Sequence, residues 1–348
     1  MANQQSILHL RQRLTKSTNG RFASPSRPLN RQRRFFLMGA GALIASACAG
    51  TAQTDTSADT SVSTSETKQI QHAFGTTEVV ANPSRIVVLD YFTVEALMVL
   101  GVQPIAAPAI IVDNLLHLPP AENEIADIGN PREPSIERLA ALKPDLILAT
   151  KSFMTEDTYG LLSQIAPMVV FDNDGFTEWQ ELTQLCAEVM GKEAEAARLK
   201  TEYEAKLQAF KSQLDTSQIQ VSVASFNSEQ ISAFSKETFI GTVLEAAGLS
   251  RPPKQLEDTD ASMLPISLEL LNQIDGDVLF VMKPQSQTDI AADVRAALEK
   301  IKANPLWNKL SVVQANQVYE VDAYWFGMGY IAANLVLDDL TKYIVKDA

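Results

Sequence analysis

The side chains best placed for chemistry in this chain are two matched carboxylates and a set of rings and cations that follow short apolar runs. Glu137 stands in Ser135-Ile136-Glu137-Arg138-Leu139, and Glu269 stands 132 positions later in Ser267-Leu268-Glu269-Leu270-Leu271. Each stretch leads through a turn with an Asp into an apolar run, Leu146-Ile147-Leu148 or Val278-Leu279-Phe280. A carboxylate two residues after a capping serine lies in a first helical turn, where free amides and the positive helix end favour it. Both glutamates should therefore be exposed at helix starts. The second set comprises Tyr91, Lys151, Phe153, Phe234, Lys236, Lys283, Tyr324 and Trp325, each just beyond a strand-like run. Ligands of open α/β sheets bind outside the carboxyl ends of strands. A large ring there gains little unless something covers it, so a bound molecule with an apolar frame is the economical reading. Catalysis is disfavoured: the only histidines are His9, His72 and His117, and no nucleophile elbow or phosphate-cradling glycine loop is present. A bare metal receptor would need His and carboxylate ligands converging on one ion, so no metal site is expected.

The elements that would carry these residues alternate between strand and helix. Arg85-Ile86-Val87-Val88-Leu89-Asp90 reads as a buried parallel strand, and Thr93 to Leu100 as a helix stopped by Gly101. Leu146–Ala149 and Met168–Phe171 continue the pattern, giving a first α/β lobe over residues 68–190. A helical stretch from about Thr177 to Leu214 is interrupted at Gly191, and its second part makes a rod of about 35 Å. Residues 191–215 are thus a linking helix, and residues 216–348 a second α/β lobe with strands at Val221–Phe226 and Val318–Asp322. The repeated unit favours two similar halves over one continuous core. The expected fold class is α/β: two lobes with mostly parallel central sheets joined by a single long helix.

The ends bound the location. The first 54 residues hold eight basic side chains and no acid, and Phe35 to Gly50 is an uncharged run too short to span a membrane comfortably. Residues 1–47 have the layout of an export signal, in which Arg33-Arg34-Phe35-Phe36-Leu37 resembles the twin-arginine motif. Ala45-Ser46-Ala47-Cys48 suits either a soluble-signal peptidase or a lipoprotein box in which the Cys48 thiol is acylated; acylation is preferred. Residues 48–67 are a polar tether. Cys186, in an apolar helical pattern, reads as a buried small hydrophobe, so no disulfide is expected. Loss of the eight N-terminal cations takes the net charge from −13 to about −21, which argues against nucleic acid or an anionic membrane surface as partner.

Asn82-Pro83-Ser84-Arg85-Ile86-Val87-Val88-Leu89-Asp90, Leu100-Gly101-Val102-Gln103-Pro104, Leu142-Lys143-Pro144-Asp145-Leu146-Ile147, Asn304-Pro305-Leu306-Trp307 and Val318-Tyr319-Glu320-Val321-Asp322 resemble, in order, the iron-siderophore substrate-binding proteins of ABC importers. The resemblance implies an extracytoplasmic receptor, in the periplasm or at the outer face of the cytoplasmic membrane and lipid-anchored where Cys48 is acylated, with a ligand cleft between lobes and little hinge closure. It implies a ferric siderophore as ligand, hydroxamate or citrate-type favoured, with no intrinsic cofactor, and a haem or cobalamin receptor as the alternative. It implies a monomer whose partners are an ABC permease dimer and its ATPase, with Glu137 and Glu269 docking on permease arginines. An oxygen-rich iron chelate asks for Arg, Lys or Tyr donors. Arg132 lies one position after the gripping arginine of hydroxamate binders, where this chain has Pro131, and Trp325 in Tyr324-Trp325-Phe326-Gly327 matches their cleft tryptophan.

Overall fold

The computed structural model describes residues 66–109, 117–118, 121, 123–226, 230–259, 261–283 and 289–345. The expected signal, Cys48 and nearly all of the tether lie outside the described residues. The chain enters through an antiparallel hairpin, β1 (Thr67–His72) and β2 (Gly75–Val80). It then builds a sheet of five parallel strands in the order β5-β4-β3-β8-β9. These are β3 (Ile86–Val88), β4 (Ala106–Ala107), β5 (Ala126–Asp127), β8 (Leu146–Thr150) and β9 (Met168–Phe171), while β6 (Gly129–Asn130) and β7 (Glu133–Pro134) form a small separate hairpin. Helices α1 (Tyr91–Val99), α2 (Ile136–Leu142) and α3 (Glu156–Leu162) make the crossovers that parallel strands require. β3, β8 and β9 are buried along their whole length, as their unbroken Val, Ile and Leu runs demand.

Helices α4 (Trp179–Met190) and α5 (Glu193–Lys211) lead to the second lobe and are separated by Gly191, whose φ of +63° makes the left-handed stop. The second sheet runs β12-β11-β10-β13-β14. Here β10 (Val221–Phe226), β13 (Val278–Met282) and β14 (Val318–Val321) are parallel, but β11 (Ile231–Phe234) is antiparallel to both β10 and β12 (Met263–Ile266). The short connection between β10 and β11 allows only a hairpin, so this sheet is less uniformly parallel than its partner. Helices α6 (Phe239–Ala246), α7 (Asp289–Lys302) and α8 (Tyr330–Leu340) complete the lobe.

The two repeated aspartates do the same work. The Asp145 carboxylate accepts from the backbone N–H groups of Ser84 and Arg85 at 2.8 and 2.9 Å, and Asp277 accepts from Gln220 N at 2.7 Å. Each pins the chain just ahead of the neighbouring central strand, which explains the recurrence of Asp in both turns.

The two halves are present, but, contrary to the expectation of separate cores, one apolar core runs through both lobes. Phe92 and Leu148 of the first lobe, Tyr203, Leu207 and Phe210 of α5, and Val223 and Phe280 of the second belong to the same cluster. At its centre the Trp179 ring lies 5.5 Å from Tyr203, 5.5 Å from Phe239 and 5.0 Å from Tyr330, and its indole N–H donates to Thr242 Oγ1 at 3.1 Å. Four helices therefore meet on one side chain. Cys186 is fully buried in this cluster, and burial pushes its thiol pKa well up.

Candidate functional site

In the first sheet the strand order reverses between β3 and β8, the place where an open α/β sheet leaves a crevice. Asp90 closes the ends of those two strands. Its carboxylate accepts from Thr93 N at 2.8 Å, capping α1, and from Thr150 N at 2.7 Å. Fully buried, it has its pKa raised to about 6 by desolvation, against the lowering effect of those hydrogen bonds.

Tyr91 follows directly, half-buried, with its ring 4.4 Å from Phe92 and 5.4 Å from Phe153. Burial and the neighbouring Asp90 raise its pKa, while Arg132 opposes the shift. Arg132 arrives on the turn between β6 and β7, fixed by its own backbone N–H donating to Asn130 Oδ1 at 2.9 Å. Its guanidinium lies 5.2 Å from the Phe153 ring centre. The structure thus brings Tyr91, Arg132 and Phe153 together in one amphipathic patch. Lys151 leaves the same strand end in another direction: its ammonium pairs with Asp172 at 2.9 Å and borders an open, acid-lined cavity of about 300 Å³ with Ser152, Asn173, Asp174 and Glu178.

On the second lobe Lys283 and Asp322, at the ends of β13 and β14, pair at 3.1 Å. Lys236 pairs with Asp258, which raises the lysine pKa and lowers that of the aspartate. Phe234, expected on a loop beyond a strand, instead ends strand β11 and is buried, with its ring 6.0 Å from that of Phe326. Tyr324 is half-buried and donates its hydroxyl to Asp339 Oδ2 at 2.6 Å; burial and that carboxylate push its pKa up.

Trp325 is placed differently from the expectation that it lines a cleft. Its side chain is 0 % exposed, tilted against Phe280 at 4.3 Å, and its indole N–H donates to the same Asp339 oxygen at 2.9 Å. The 3-10 turn at Ala323–Phe326 directs the tryptophan inward, and the ring it offers to solvent is Phe326, 36 % exposed. The loop sequence named Phe326 among its rings but could not show which ring turns in, since that is decided by Asp339, a partner 14 positions on from Trp325.

A joint between lobes was also missed. The Glu95 carboxylate of α1, fully buried, accepts from Met328 N at 2.9 Å, and His117 Nε2 lies 3.3 Å from its other oxygen. A Cβ at Gly329 would meet Glu95 Oε1 at 2.8 Å, so the glycine is what permits the approach. The signal was present as Gly327-Met328-Gly329.

Glu137 and Glu269 lie in first helical turns, both exposed. Ser135 Oγ caps α2 by accepting from Arg138 N at 3.4 Å. The second copy is a kinked 3-10 helix, Leu268–Ile274, and Ser267 does not cap it through its side chain. The Glu269 carboxyl is instead held below its usual range by its own backbone N–H and by the Ser267 hydroxyl.

Comparison with known proteins supplies the family. Residues 86–324 match the model of the periplasmic binding protein family. The chain is 31 % identical to a probable siderophore-binding lipoprotein of Bacillus subtilis, YfiY, over 89 % of this chain and 96 % of that one. It is 29 % identical to the Fe(3+) dicitrate-binding periplasmic protein FecB of Escherichia coli, over 78 % and 89 %. Among solved structures, Staphylococcus aureus SirA complexed with staphyloferrin B superposes with a TM-score of 0.66 at 27 % identity, covering 80 % of this chain and 98 % of that one.

Proposed function

The chain belongs to the periplasmic binding protein family, and on that premise we propose that it is the extracytoplasmic receptor of an ABC importer that captures a ferric siderophore between its lobes. The observation that carries the ligand reading is the patch of Tyr91, Arg132 and Phe153 at the crevice of the first sheet. Lys151, Lys236 and Lys283 each already face an aspartate. Arg132 instead lies over a ring, leaving its planar fork of donors for the oxygen atoms of an iron chelate. The iron is cargo held by its chelator; among the described residues no cluster of three or more His, Cys, Asp or Glu could hold a metal ion.

Hydroxamate and citrate-type chelates, rich in acceptor oxygens, suit such a patch, and relatives named for siderophore and ferric dicitrate binding support that choice. Haem would favour a Tyr or His axial ligand; Tyr91 or Tyr324 could serve, and Tyr324 has already given its hydroxyl to Asp339. The reading includes export, acylation at Cys48 as the membrane anchor, and docking of Glu137 and Glu269 on a permease dimer that works with an ATPase. Two relatives named as lipoprotein and periplasmic protein support extracytoplasmic placement.

The test is equilibrium dialysis of the exported form against ferric hydroxamate, catecholate and citrate-type chelates, with haem and cobalamin. Saturable binding of a ferric chelate is expected, weakened about tenfold by Arg132→Ala through loss of a charge-assisted contact. Saturable binding of haem or cobalamin alone would overturn the assignment.

A further inference from the structure

The two repeated segments share more than their carboxylates. Ile136 and Leu268, the residues immediately before Glu137 and Glu269, are 42 % and 41 % exposed. Three positions after each, Leu139 and Leu271 are buried and fix the segment to its lobe. An exposed isoleucine or leucine here serves neither core nor helix: a β-branched residue at the start of α2 is no better a helix former than a polar one. Single exposed apolar residues are ordinary on a protein surface. Recurrence at the same position of both lobes, each time beside an exposed carboxylate in a first helical turn, is a pattern.

We infer that Ile136 with Glu137, and Leu268 and Leu270 with Glu269, are two composite contacts for the outward face of a two-fold permease dimer, the apolar side chains excluding water around the charge pairs. The inference rests on the docking proposed above and deepens it. Exposed ion pairs contribute little while water screens them. Near-neutral apolar neighbours that exclude solvent are what turn such a pair into a binding hot spot. Two similar contacts on one chain match a partner that presents the same surface twice.

The repeat also breaks in an informative place. After Glu137 stands Arg138, exposed and paired with Asp127 at 3.2 Å, whereas after Glu269 stands Leu270, 47 % exposed. Met263, on the edge strand β12 that leads into that segment, is a further exposed apolar residue. The second lobe therefore offers the larger apolar contact and the first lobe a carboxylate flanked by a cation. The Leu pair should carry more of the docking affinity than Ile136.

The experiment compares wild type with Ile136→Ser, with Leu268→Ser/Leu270→Ser, and with Glu137→Ala/Glu269→Ala. Each is assayed for dialysis of ferric citrate and ferric desferrioxamine, for thermal unfolding, and for radio-iron uptake from those two chelates by cells carrying the chain's own importer. With chelate affinity and unfolding temperature unchanged, the receptor level giving half-maximal uptake should rise roughly tenfold or more for the leucine pair and roughly threefold for Ile136→Ser, as the lost apolar burial implies. If the serine variants transport like wild type while the glutamate variant fails, the apolar contact is refuted and docking through the carboxylates stands. Serine variants that lose chelate binding or unfold early would refute it also, by showing a structural role. Wild type that binds neither chelate and supports no uptake would overturn the receptor reading itself, and this inference with it.

Discussion

Trp325→Phe separates a core residue from a cleft residue by two measurements that move in opposite ways under the two readings. The indole is fully buried and donates to Asp339, which also accepts from Tyr324. Removing the N–H takes away a hydrogen bond to a charged acceptor, worth about 1.5–3 kcal/mol, and the lower end applies because Tyr324 still donates. The smaller ring leaves roughly 40 Å³ unfilled, which at about 24 cal/mol per Å³ adds about 1 kcal/mol. The sum, about 2.5 kcal/mol, corresponds to a fall in unfolding temperature of about 4 °C for a folded body of roughly 280 residues. Differential scanning calorimetry reads that fall, and equilibrium dialysis with a ferric chelate reads the affinity, which should change by less than about threefold since the ring is shut off from solvent. An unchanged unfolding temperature with a large loss of affinity would refute the placement and return Trp325 to the cleft.

The remaining predictions concern the buried acid and the junction of helices. Burial raises the Asp90 pKa to about 6 in the folded chain from its ordinary value of 3.8, so the native state binds more protons than the unfolded state within that window. Stability from this group is therefore present below the unfolded value and is lost as pH rises through about 6, by about 3 kcal/mol in all. The unfolding free energy of wild type minus that of Asp90→Asn, from denaturant unfolding, should rise as pH falls from 7 to about 4; a difference that falls instead would show that the hydrogen bonds to Thr93 and Thr150 outweigh desolvation. Trp179→Ala should cost about 3–5 kcal/mol and loosen the lobes together, raising amide exchange in α4, α5, α6 and α8. Exchange confined to α4 would mean that the aromatic junction does not couple them.

What the sequence made legible and what it hid differ by the distance over which the deciding interaction acts. The repeated Ser, Glu and Asp could be read because their partners are local or belong to the next strand: Asp145 and Asp277 pin backbone amides at strand starts, and Ser135 caps its own helix. Strand runs such as Met168–Phe171 were legible because burial on both faces leaves no polar interruption. The inward turn of Trp325 depends on Asp339, the pairing of the three lysines on aspartates 21, 22 and 39 positions away, and the Glu95 joint on an amide 233 positions away. Residue type alone left those choices open, since a ring or a cation after a strand fits a cleft and a core equally well.

These long-range pairings also bear on how a ligand can be held. A chelate that recruits Lys151, Lys236 or Lys283 must first displace an aspartate from each, so part of any new charge contact is offset by the one it replaces. Arg132 carries no such penalty, because its cation–π contact with Phe153 leaves the edge N–H groups available and the stacking persists when an anion arrives. The lobes, meanwhile, share an apolar core and the Glu95 to Met328 hydrogen bond, so closing around a ligand by a large rotation would break buried contacts. Under the receptor function proposed above, discrimination would fall to rim side chains on a nearly fixed frame. Within that proposal the first candidate is Arg132, on the β6–β7 turn beside Phe153, since the Trp325 ring is buried.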